Sequence, residues 1–452
     1  MLCVCPTCSM PCPLEVESRG AGRNINTSLR PPTLPRFTVW VGPLENAFEI
    51  PVLYKEGNMS APTTPVTGLT VLSLDGGGVR GYSSLLILRA VMLEIKRTNN
   101  LQEIPKPCDY FDLVAGTSTG GFVHSPPITT QTASMIYANA AKSLIALMLS
   151  RLRMDVDSCI IKYQKMSGDI FKRPWQFPGK PIWDAYFKKP WFSEEKLKQS
   201  IESVVELMIS PQEKSLLESR GVRFSDAPMA DPGVIPSVNT CNAFVCAVKV
   251  EDLTTALLRT YPQPATSLAE TCPIWAAGRA TSAAPLYFPP MKLVTPPSPV
   301  PTDFFDGGMK NNNPIAEVKD EVFLAHRVES PRCVLSIGTG YLTNATGDRG
   351  FWTRLAKWAT GGFGYMGWTL LQLATNTQAR HLEILREGKY ARFRENYVRL
   401  NVPGKLANVG IERWDKMEEM RHLTEAYLAT EEARAEIRRC VEMLRAGRNF
   451  GM

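Results

Sequence analysis

Three glycine-rich segments carry the groups that an acyl-transfer reaction requires, and the first contains a serine. Gly116-Thr117-Ser118-Thr119-Gly120 matches GxSxG and follows the apolar run Tyr110–Ala115. A serine placed between a strand and a helix lies on a sharp turn that exposes its hydroxyl, and the flanking glycines leave room for neighbouring backbone. Ser118 is therefore the candidate nucleophile, and Gly116 and Gly120 are the residues that permit its turn.

The second segment supplies a candidate base, which a serine hydroxyl needs in order to lose its proton. The chain has four histidines, at His124, His326, His381 and His422. The last three fall in helical patterns, and none is placed as a catalytic base. Asp306 ends an apolar stretch and precedes Gly307 and Gly308. A carboxylate can act as the base in a dry site close to the serine, although Asp-Gly-Gly alone is also typical of a β-turn.

The third segment, Asp75-Gly76-Gly77-Gly78-Val79-Arg80-Gly81, contains GxGxxG between an apolar run and a helical pattern. One interpretation is a dinucleotide-binding turn. The other is an oxyanion hole, in which backbone N–H groups receive the negative oxygen of a tetrahedral intermediate. A dinucleotide site requires an acidic residue at the end of the next strand, but Glu94 falls inside the helix. The sequence therefore favours the oxyanion hole.

Strands and helices alternate around these segments, which predicts a parallel sheet covered on both faces. Hydrophobic periodicity predicts strands at Leu69–Leu74, Tyr110–Ala115, Ala243–Val250 and Cys333–Ile337. It predicts helices at Tyr82–Lys96, Ser193–Met208, Ile315–His326 and Met417–Leu444. The expected fold is an α/β three-layer sandwich, α/β/α, with a largely parallel sheet and a helical C-terminal extension.

Composition argues against several other classes of protein. The chain has 452 residues, of which 44% are hydrophobic and 21% charged, as in ordinary globular proteins. The net charge of +7 is spread along the chain, so no nucleic-acid partner is expected. No apolar run approaches about 18 residues, the length of a membrane-spanning helix, and no secretory signal is evident. Seven of the eleven cysteines stand singly in apolar contexts, which is typical of free thiols. The other four crowd the N-terminus and are assigned to an unstructured tail, with a soft-metal site or palmitoylation as alternatives. A cytoplasmic protein is expected.

Taken in order, the three segments resemble the patatin-like phospholipases, especially their fungal members. The matching stretches are Asp75–Tyr82, Gly116–Gly121, and Asp306–Gly308 followed by Asn312-Asn313-Pro314. Arg279–Phe288 and Ser336–Gly340 look alike as well. The resemblance covers about residues 69 to 345, and three motifs in order are far more specific than any one of them.

The resemblance implies a reaction and the residues that perform it. Members of the family hydrolyse acyl esters of glycerolipids without a metal or another cofactor, so the implied function is a lipid acyl hydrolase of the phospholipase A, lysophospholipase or galactolipase type. Ser118 would form the acyl-enzyme with Asp306 as its base, a dyad without histidine, and Arg80 would favour an anionic head group. The implied oxyanion donors are Gly76, Gly77 and Gly78, and the supporting residues are Asp75, Arg80, Gly81, Gly116, Gly120, Gly307 and Gly308.

The implied partners are a glycerolipid or phospholipid substrate and a membrane surface to which the protein binds peripherally. Lys172–Phe192 interleaves seven aromatic with five cationic residues, which is typical of a membrane interface or of aromatic residues packed over a core. Two alternatives stay open: a lipid acyltransferase, in which an alcohol replaces water, and a catalytically impaired lipid-binding homologue. A nucleotide-dependent enzyme is a remote third alternative.

Residues 122–143 interrupt the resemblance directly after the candidate nucleophile. The family's next helix resembles Leu144–Met154, and Pro126-Pro127 would end any helix begun at Thr119. The segment is interpreted as a translated intron in a gene model, a genuine loop such as a lid, or the mark of an inactive variant. The first is favoured, and a chain without residues 122–143 is expected to be more active.

The predicted organisation has three parts. A mostly disordered tail spans residues 1–68, the catalytic domain with its insert spans 69–345, and a helical extension spans 346–452. A helix from about Thr132 through Arg153 is an alternative to a helix that starts at Leu144.

Overall fold

A central sheet with helices on both faces positions the candidate residues. The computed structural model describes residues 68–117, 142–171, 192–233, 240–262, 269–284, 288–295, 298–324, 330–341, 377–410 and 413–446, with His326 and Val328. Its strands are β1 (Thr70–Leu74), β2 (Leu113–Thr117), β3 (Asn242–Lys249), β4 (Thr255–Arg259), β5 (Met291–Val294), β6 (Pro301–Asp306), β7 (Cys333–Ile337) and β8 (Tyr397–Leu400).

The described helices differ widely in length. They are α1 (Gly81–Thr98), α2 (Lys142–Leu149), α3 (Val156–Phe171), α4 (Glu194–Met208), α5 (Pro211–Ser219), α6 (Ile274–Thr281), α7 (Gly308–Asn311), α8 (Ile315–Leu324), α9 (Thr377–Arg386), α10 (Ala391–Glu395), α11 (Met417–Leu428) and α12 (Glu431–Arg445). Among the helices of the described ranges, none is both long and apolar enough to cross a bilayer.

The sheet is largely parallel. Its strands are hydrogen-bonded along the path β5-β6-β3-β2-β1-β7-β8, and β4 also pairs with β3. β1, β2, β3, β7 and β8 pair in parallel, whereas β4, β5 and β6 pair antiparallel. The carboxyl ends of the five parallel strands therefore lie at one edge of the sheet, which we call the carboxyl edge.

Two apolar cores lie on opposite faces of the sheet. Side chains alternate between the faces of a strand, so Leu72 enters the first core and Val71 enters the second. The first core also contains buried residues of α1 to α6, α11 and α12. The second contains buried residues of α8, α9 and α10. These two cores make a three-layer sandwich and confirm the predicted α/β fold class.

The C-terminal region contributes a strand as well as helices. β8 pairs in parallel with β7, and α11 and α12 pack against α1. The sheet thus continues past residue 345, where the sequence analysis placed the end of the catalytic domain. The helix predicted over Met417–Leu444 is two helices, because the Thr430 hydroxyl accepts a bond from the Ala433 N–H at 3.3 Å and begins α12 as its N-cap.

Four predicted features lie outside the described residues. They are the tail up to residue 67, the segment 118–141, the aromatic and cationic stretch up to residue 191, and the first part of the C-terminal extension up to residue 376.

Candidate active site

The two edges of β3 decide where β2 and β6 lie. β4 pairs with Phe244–Val248 and takes one edge along that length. β2 pairs with β3 up to Cys246, and β6 pairs with β3 from Ala247 onwards. Because a strand offers two edges for pairing, β2 and β6 must share the edge opposite β4. They meet there end to end.

Thr117 and Asp306 are the residues at this meeting point. Thr117, the last residue of β2, pairs with Cys246, and Asp306, the last residue of β6, pairs with Ala247. Neighbouring residues are about 3.3 Å apart along a strand. Ser118 and Gly120 lie outside the described residues, and Ser118 directly follows Thr117 in the sequence. The structure thus brings Asp306 to the end of the strand that immediately precedes the predicted nucleophile.

Asp306 is buried and held by backbone groups on both sides. Its side chain and backbone together are 1% exposed. The Gly308 N–H donates to Oδ1 at 2.6 Å, and the Asp306 N–H donates to the Ala283 carbonyl at 3.0 Å. Phe304, two residues earlier on β6, belongs to the first core, so Asp306 lies on the same face of the sheet.

Gly307 allows the turn after β6 to approach β3. A Cβ at this position would lie 2.1 Å from the Cys246 carbonyl oxygen, far inside van der Waals contact. The hydroxyl of Thr281 donates to the same carbonyl at 2.5 Å. The first glycine of Asp-Gly-Gly is therefore required for space. The segment Arg279–Phe288, noted in the sequence for its resemblance, supplies both Thr281 and the carbonyl of Ala283 that fix this turn.

α2 starts beside the end of β2. The hydroxyls of Ser143 and Thr281 lie 2.6 Å apart, and Thr281 bonds to the carbonyl of Cys246, the residue that pairs with Thr117. The chain therefore returns close to its point of departure after residues 118–141. Connections between a strand and a helix usually take about 2–6 residues, so this connection is several times longer than the gap requires.

The described bounds of α2 bear on two predictions. Lys142 and Ser143, the last two residues assigned to the insert, are the first residues of α2 that the structure describes. The helix ends at Leu149, before Arg153, where the alternative helix was expected to end. Leu144 and Met148 are buried in the first core, so the first part of the predicted Leu144–Met154 helix is present as α2, which packs against β2.

The glycine turn, residues 75–78, joins β1 to a short 3-10 turn (Gly78–Arg80) and then to α1. Gly78 has a φ of 56°, in the left-handed region that side chains disfavour. A Cβ on Gly77 would lie 2.6 Å from Oγ1 of Thr339. Thr339 belongs to Ser336–Gly340, the second stretch noted for its resemblance, which contains the end of β7 and the residues after it. Thr339 itself packs against the turn.

The N–H groups of the three glycines differ in their partners. The Gly76 N–H donates to the Asn312 carbonyl at 2.7 Å. The N–H groups of Gly77 and Gly78 make no hydrogen bond to any residue within the described ranges. Of the three predicted oxyanion donors, Gly76 is thus engaged with the protein, and Gly77 and Gly78 remain the candidates.

The carbonyl groups of the turn are also held. The Thr339 hydroxyl donates to the Gly76 carbonyl at 2.8 Å, and the Tyr163 hydroxyl donates to the Gly78 carbonyl at 2.6 Å. Arg80 donates from Nε to the Gly77 carbonyl at 3.4 Å and from Nη1 to the Ala407 carbonyl at 3.3 Å. Arg80 therefore braces the turn, and its role towards a head group stays a prediction.

Asp75, at the start of the turn, forms a buried ion pair with Arg399 of β8. Nη1 of Arg399 donates to Oδ1 of Asp75 at 2.8 Å, and Nη2 donates to Oδ2. Burial by itself lowers the pKa of Arg399, but the charge of Asp75 more than offsets this and raises it. Arg399 is not evident from the sequence, because a lone arginine in a short strand carries no signal when its partner lies far away in the chain.

The remaining predicted residues support the turns. Gly81 is the first residue of α1 and is buried. Gly116 lies on β2 and pairs with Leu74 of β1, and Gly308 donates to Asp306. Gly81 thus begins a helix, and Gly116 and Gly308 lie beside the carboxyl ends of β2 and β6; the supporting role of these glycines stays a prediction.

The three described histidines have partners away from Asp306. Nδ1 of His381 lies 3.1 Å from the Tyr397 hydroxyl, His326 packs on the ring of Tyr261 with centroids 5.5 Å apart, and His422 contacts Glu418 on α11. Burial and the charge of Arg399 lower the pKa of His381 to about 4. These contacts agree with the view that the three histidines are structural.

Comparison with known proteins identifies the family of this chain. A family model described as Patatin-like phospholipase matches residues 72–319, over half of the sequence. The chain belongs to the patatin-like phospholipase family. The resemblance of the three glycine-rich segments is thereby confirmed, and the three segments lie within the matched range, whereas Arg399 lies beyond it.

Curated relatives of this patatin-like protein align with about three fifths of the chain. The rat 85/88 kDa calcium-independent phospholipase A2 is 24% identical over 282 residues, 60% of this chain and 27% of the relative. Human calcium-independent phospholipase A2-gamma is 26% identical over 60% of this chain and 28% of its own length. Patatin-like protein 3 of Arabidopsis thaliana is 25% identical over 61% of this chain and 60% of its own length.

This chain thus spans about a quarter of the two phospholipase A2 relatives and about three fifths of the plant protein. Among solved structures, VipD from Legionella pneumophila aligns over 80% of this chain and 67% of its own, at 14% identity and a TM-score of 0.28. The α/β architecture described above rests on the strands and helices of this chain itself.

Proposed function

We propose that this chain is a lipid acyl hydrolase in which Ser118 is the nucleophile and Asp306 its base. The observation that supports this most is the end-to-end meeting of β2 and β6. It brings the buried carboxylate of Asp306 to the end of the strand that precedes Ser118. A buried carboxylate near a serine hydroxyl can accept the proton that the attack releases.

The proposed reaction has two steps. The Ser118 oxygen bonds to the ester carbonyl carbon while Asp306 takes the hydroxyl proton. When the tetrahedral intermediate collapses, the bond to the leaving alcohol breaks and the alcohol takes that proton. Water then attacks the acyl-enzyme while Asp306 takes one of its protons. When this second intermediate collapses, the bond to the Ser118 oxygen breaks, that oxygen takes the proton from Asp306, and the fatty acid leaves. A serine–carboxylate pair suffices for this proton balance.

Gly77 and Gly78 are the proposed oxyanion donors. Their N–H groups have no partner within the described ranges, and they lie on a turn at the carboxyl edge, beside β2. Donors fixed before the reaction stabilise the developing charge, and the loss of one typically costs about 10²–10³ in rate. Gly76 would instead fix the turn through Asn312.

The family supports the substrate class. The matching family model and two of the relatives are named as phospholipases, so we assign an acyl ester of a glycerolipid, presented at a membrane surface, as the substrate. An alcohol that takes the place of water would make the same acyl-enzyme an acyltransferase. Product analysis with and without an added lysolipid separates the two outcomes.

Labelling with a fluorophosphonate probe tests the proposal directly. The probe should label the 452-residue chain, and Ser118→Ala should abolish both labelling and ester hydrolysis. Asp306→Asn should slow both by about 10²–10⁴-fold, the usual contribution of a general base, while the Gly308 N–H can still donate to the side-chain oxygen.

Two matched variants control for unspecific effects. Ser298→Ala removes an exposed serine, and Asp303→Asn neutralises a carboxylate on the same strand as Asp306. Both should keep the labelling rate within twofold of the unaltered chain. A chain that folds but shows neither labelling nor hydrolysis would contradict the proposal and favour the lipid-binding alternative.

A further inference from the structure

The glycine turn is held from the C-terminal part of the chain, beyond the range that the family model matches. Asp75 links β1 to the turn, and its partner Arg399 lies on β8, the strand at the far end of the sheet path. Between them lies Ser336 of β7, whose hydroxyl accepts a second bond from Nη1 of Arg399 at 2.7 Å. The residues of this link thus span three neighbouring strands.

The geometry of this pair is restrictive. The side chain of Asp75 is 0% exposed and that of Arg399 is 6% exposed. Both carboxylate oxygens accept from separate guanidinium nitrogens, and such two-point pairing fixes orientation as well as distance. The strand register also favours this pair. Ser73 of β1 pairs with Ser336 of β7, which pairs with Arg399 of β8, so Arg399 lies in line with the end of β1.

The stability of the fold does not by itself require a buried ion pair such as Asp75–Arg399. Removing two charges from water is costly, and an apolar pair of similar volume often stabilises a protein as well or better. A buried pair that fixes one orientation therefore points to a positioning role. The group next to Asp75 in the chain is Gly76, whose N–H and carbonyl are fixed by Asn312 and Thr339.

We infer that Arg399 is a positioning residue for the oxyanion turn. It fixes Asp75 and so sets the direction in which the N–H groups of Gly77 and Gly78 point. This inference rests on the proposed function. It makes the C-terminal strand β8 part of the catalytic apparatus and implies that a chain truncated at the end of the family match would lack a fixed oxyanion turn.

Arg399→Lys is the main test, because lysine keeps the charge but loses the two-point geometry. Arg151→Lys is the matched control. Arg151 forms a comparable pair with Glu213, with side chains 4% and 1% exposed, at the end of α2 and away from the glycine turn. Both variants should lose similar stability, so any difference in activity reports on the turn.

Ester hydrolysis and hydrogen exchange are measured for each variant. Arg399→Lys should lower kcat on a short-chain ester by about 10–100-fold with KM within twofold, the pattern of a lost transition-state interaction, whereas Arg151→Lys should keep kcat within about threefold. Hydrogen exchange measured by mass spectrometry on peptides covering residues 74–82 should be at least about tenfold faster in Arg399→Lys than in Arg151→Lys. The reason is that Asp75, freed from its two-point pair, lets the bond from the adjacent Gly76 N–H to the Asn312 carbonyl open more often.

Hydrogen exchange keeps the inference separable from the proposed function. Unchanged exchange over residues 74–82 in folded Arg399→Lys would overturn the positioning role. Faster exchange in a protein whose unaltered chain hydrolyses no ester would support the positioning role and contradict the proposed function. If Arg399→Lys does not fold, Ser336→Ala removes one support of Arg399 without leaving a charge unpaired. Hydrogen exchange over residues 74–82 is then compared between Ser336→Ala and the unaltered chain. We expect it to be about threefold faster or more in the variant, and unchanged exchange would overturn the positioning role.

Discussion

Thr117 and Asp306 end their strands at adjacent positions along one edge of β3, although they lie far apart in the sequence. β2 runs parallel to β3 and β6 runs antiparallel to it, so the two chains approach this point from opposite directions. Their carboxyl ends meet for that reason. A parallel β6 on the same edge would have directed its carboxyl end away from Thr117, and Asp306 would lie at a different place in the sheet.

Gly307→Ala should destabilise the protein because the added methyl group would overlap the Cys246 carbonyl, 2.1 Å away. The turn after β6 would have to move away from β3, and Asp306 would move with it. We expect the free energy of unfolding to fall by about 3 kcal/mol, the upper end of the usual cost of overpacking. Urea denaturation of purified protein measures this change.

Gly388→Ala is the matched control for that substitution. A Cβ at Gly388 meets no atom within 4 Å, so the free energy of unfolding should change by less than about 0.5 kcal/mol. Equal stabilities of the two variants would show that β6 does not approach β3 as closely as described.

A chain that lacks residues 122–141 should hydrolyse esters faster than the full chain. The deletion leaves residues 118–121 between β2 and α2, a length within the usual range for this connection. It retains Ser143, whose hydroxyl contacts Thr281 beside the end of β2. Because small errors in the position of a reacting group cost large factors in rate, we expect a gain of about tenfold or more, measured as kcat on a short-chain ester.

The deletion of residues 122–143 provides the comparison. It also removes Lys142 and Ser143, the first residues of α2, and should be less active than the shorter deletion. Equal rates for the full chain and the chain without residues 122–141 would argue that the segment is a genuine part of the enzyme.

His381 should make the protein less stable in mild acid. Burial and the charge of Arg399 lower its pKa to about 4 from 6.5, so between these values the unfolded chain binds a proton that the folded protein does not. Stability is therefore complete above pH 6.5 and declines as the pH falls towards 4. One full proton would change the free energy of unfolding by about 1.4 kcal/mol per pH unit. The slope for His381 should be smaller, because the ring is partly exposed.

Thermal unfolding at pH 7.5 and pH 4.5 measures this dependence. His381→Gln should show a smaller drop in Tm between the two conditions than the unaltered chain, whereas His422→Gln, on the exposed face of α11, should show the same drop. A His381→Gln variant that is as acid-sensitive as the unaltered chain would assign the effect to other groups.

The sequence by itself determined the fold class and the motifs. β7 has the predicted bounds, β1 and α4 differ from their predictions by one residue at one end, and β3 differs by one residue at each end. The agreement is close because an apolar run with a clear period favours one kind of element. The glycines of the three segments were identified for the same local reason, since a turn and a close backbone approach depend on residues next to one another.

Tertiary structure alone decided which groups meet. β4, β5, β6 and β8 were not predicted as strands, because short strands with partly exposed residues acquire their state from the neighbours with which they pair. The antiparallel direction of β6 sets the place of Asp306, and the pairing of β8 with β7 brings Arg399 to Asp75. Such contacts join residues far apart in the chain, and local periodicity carries no information about them.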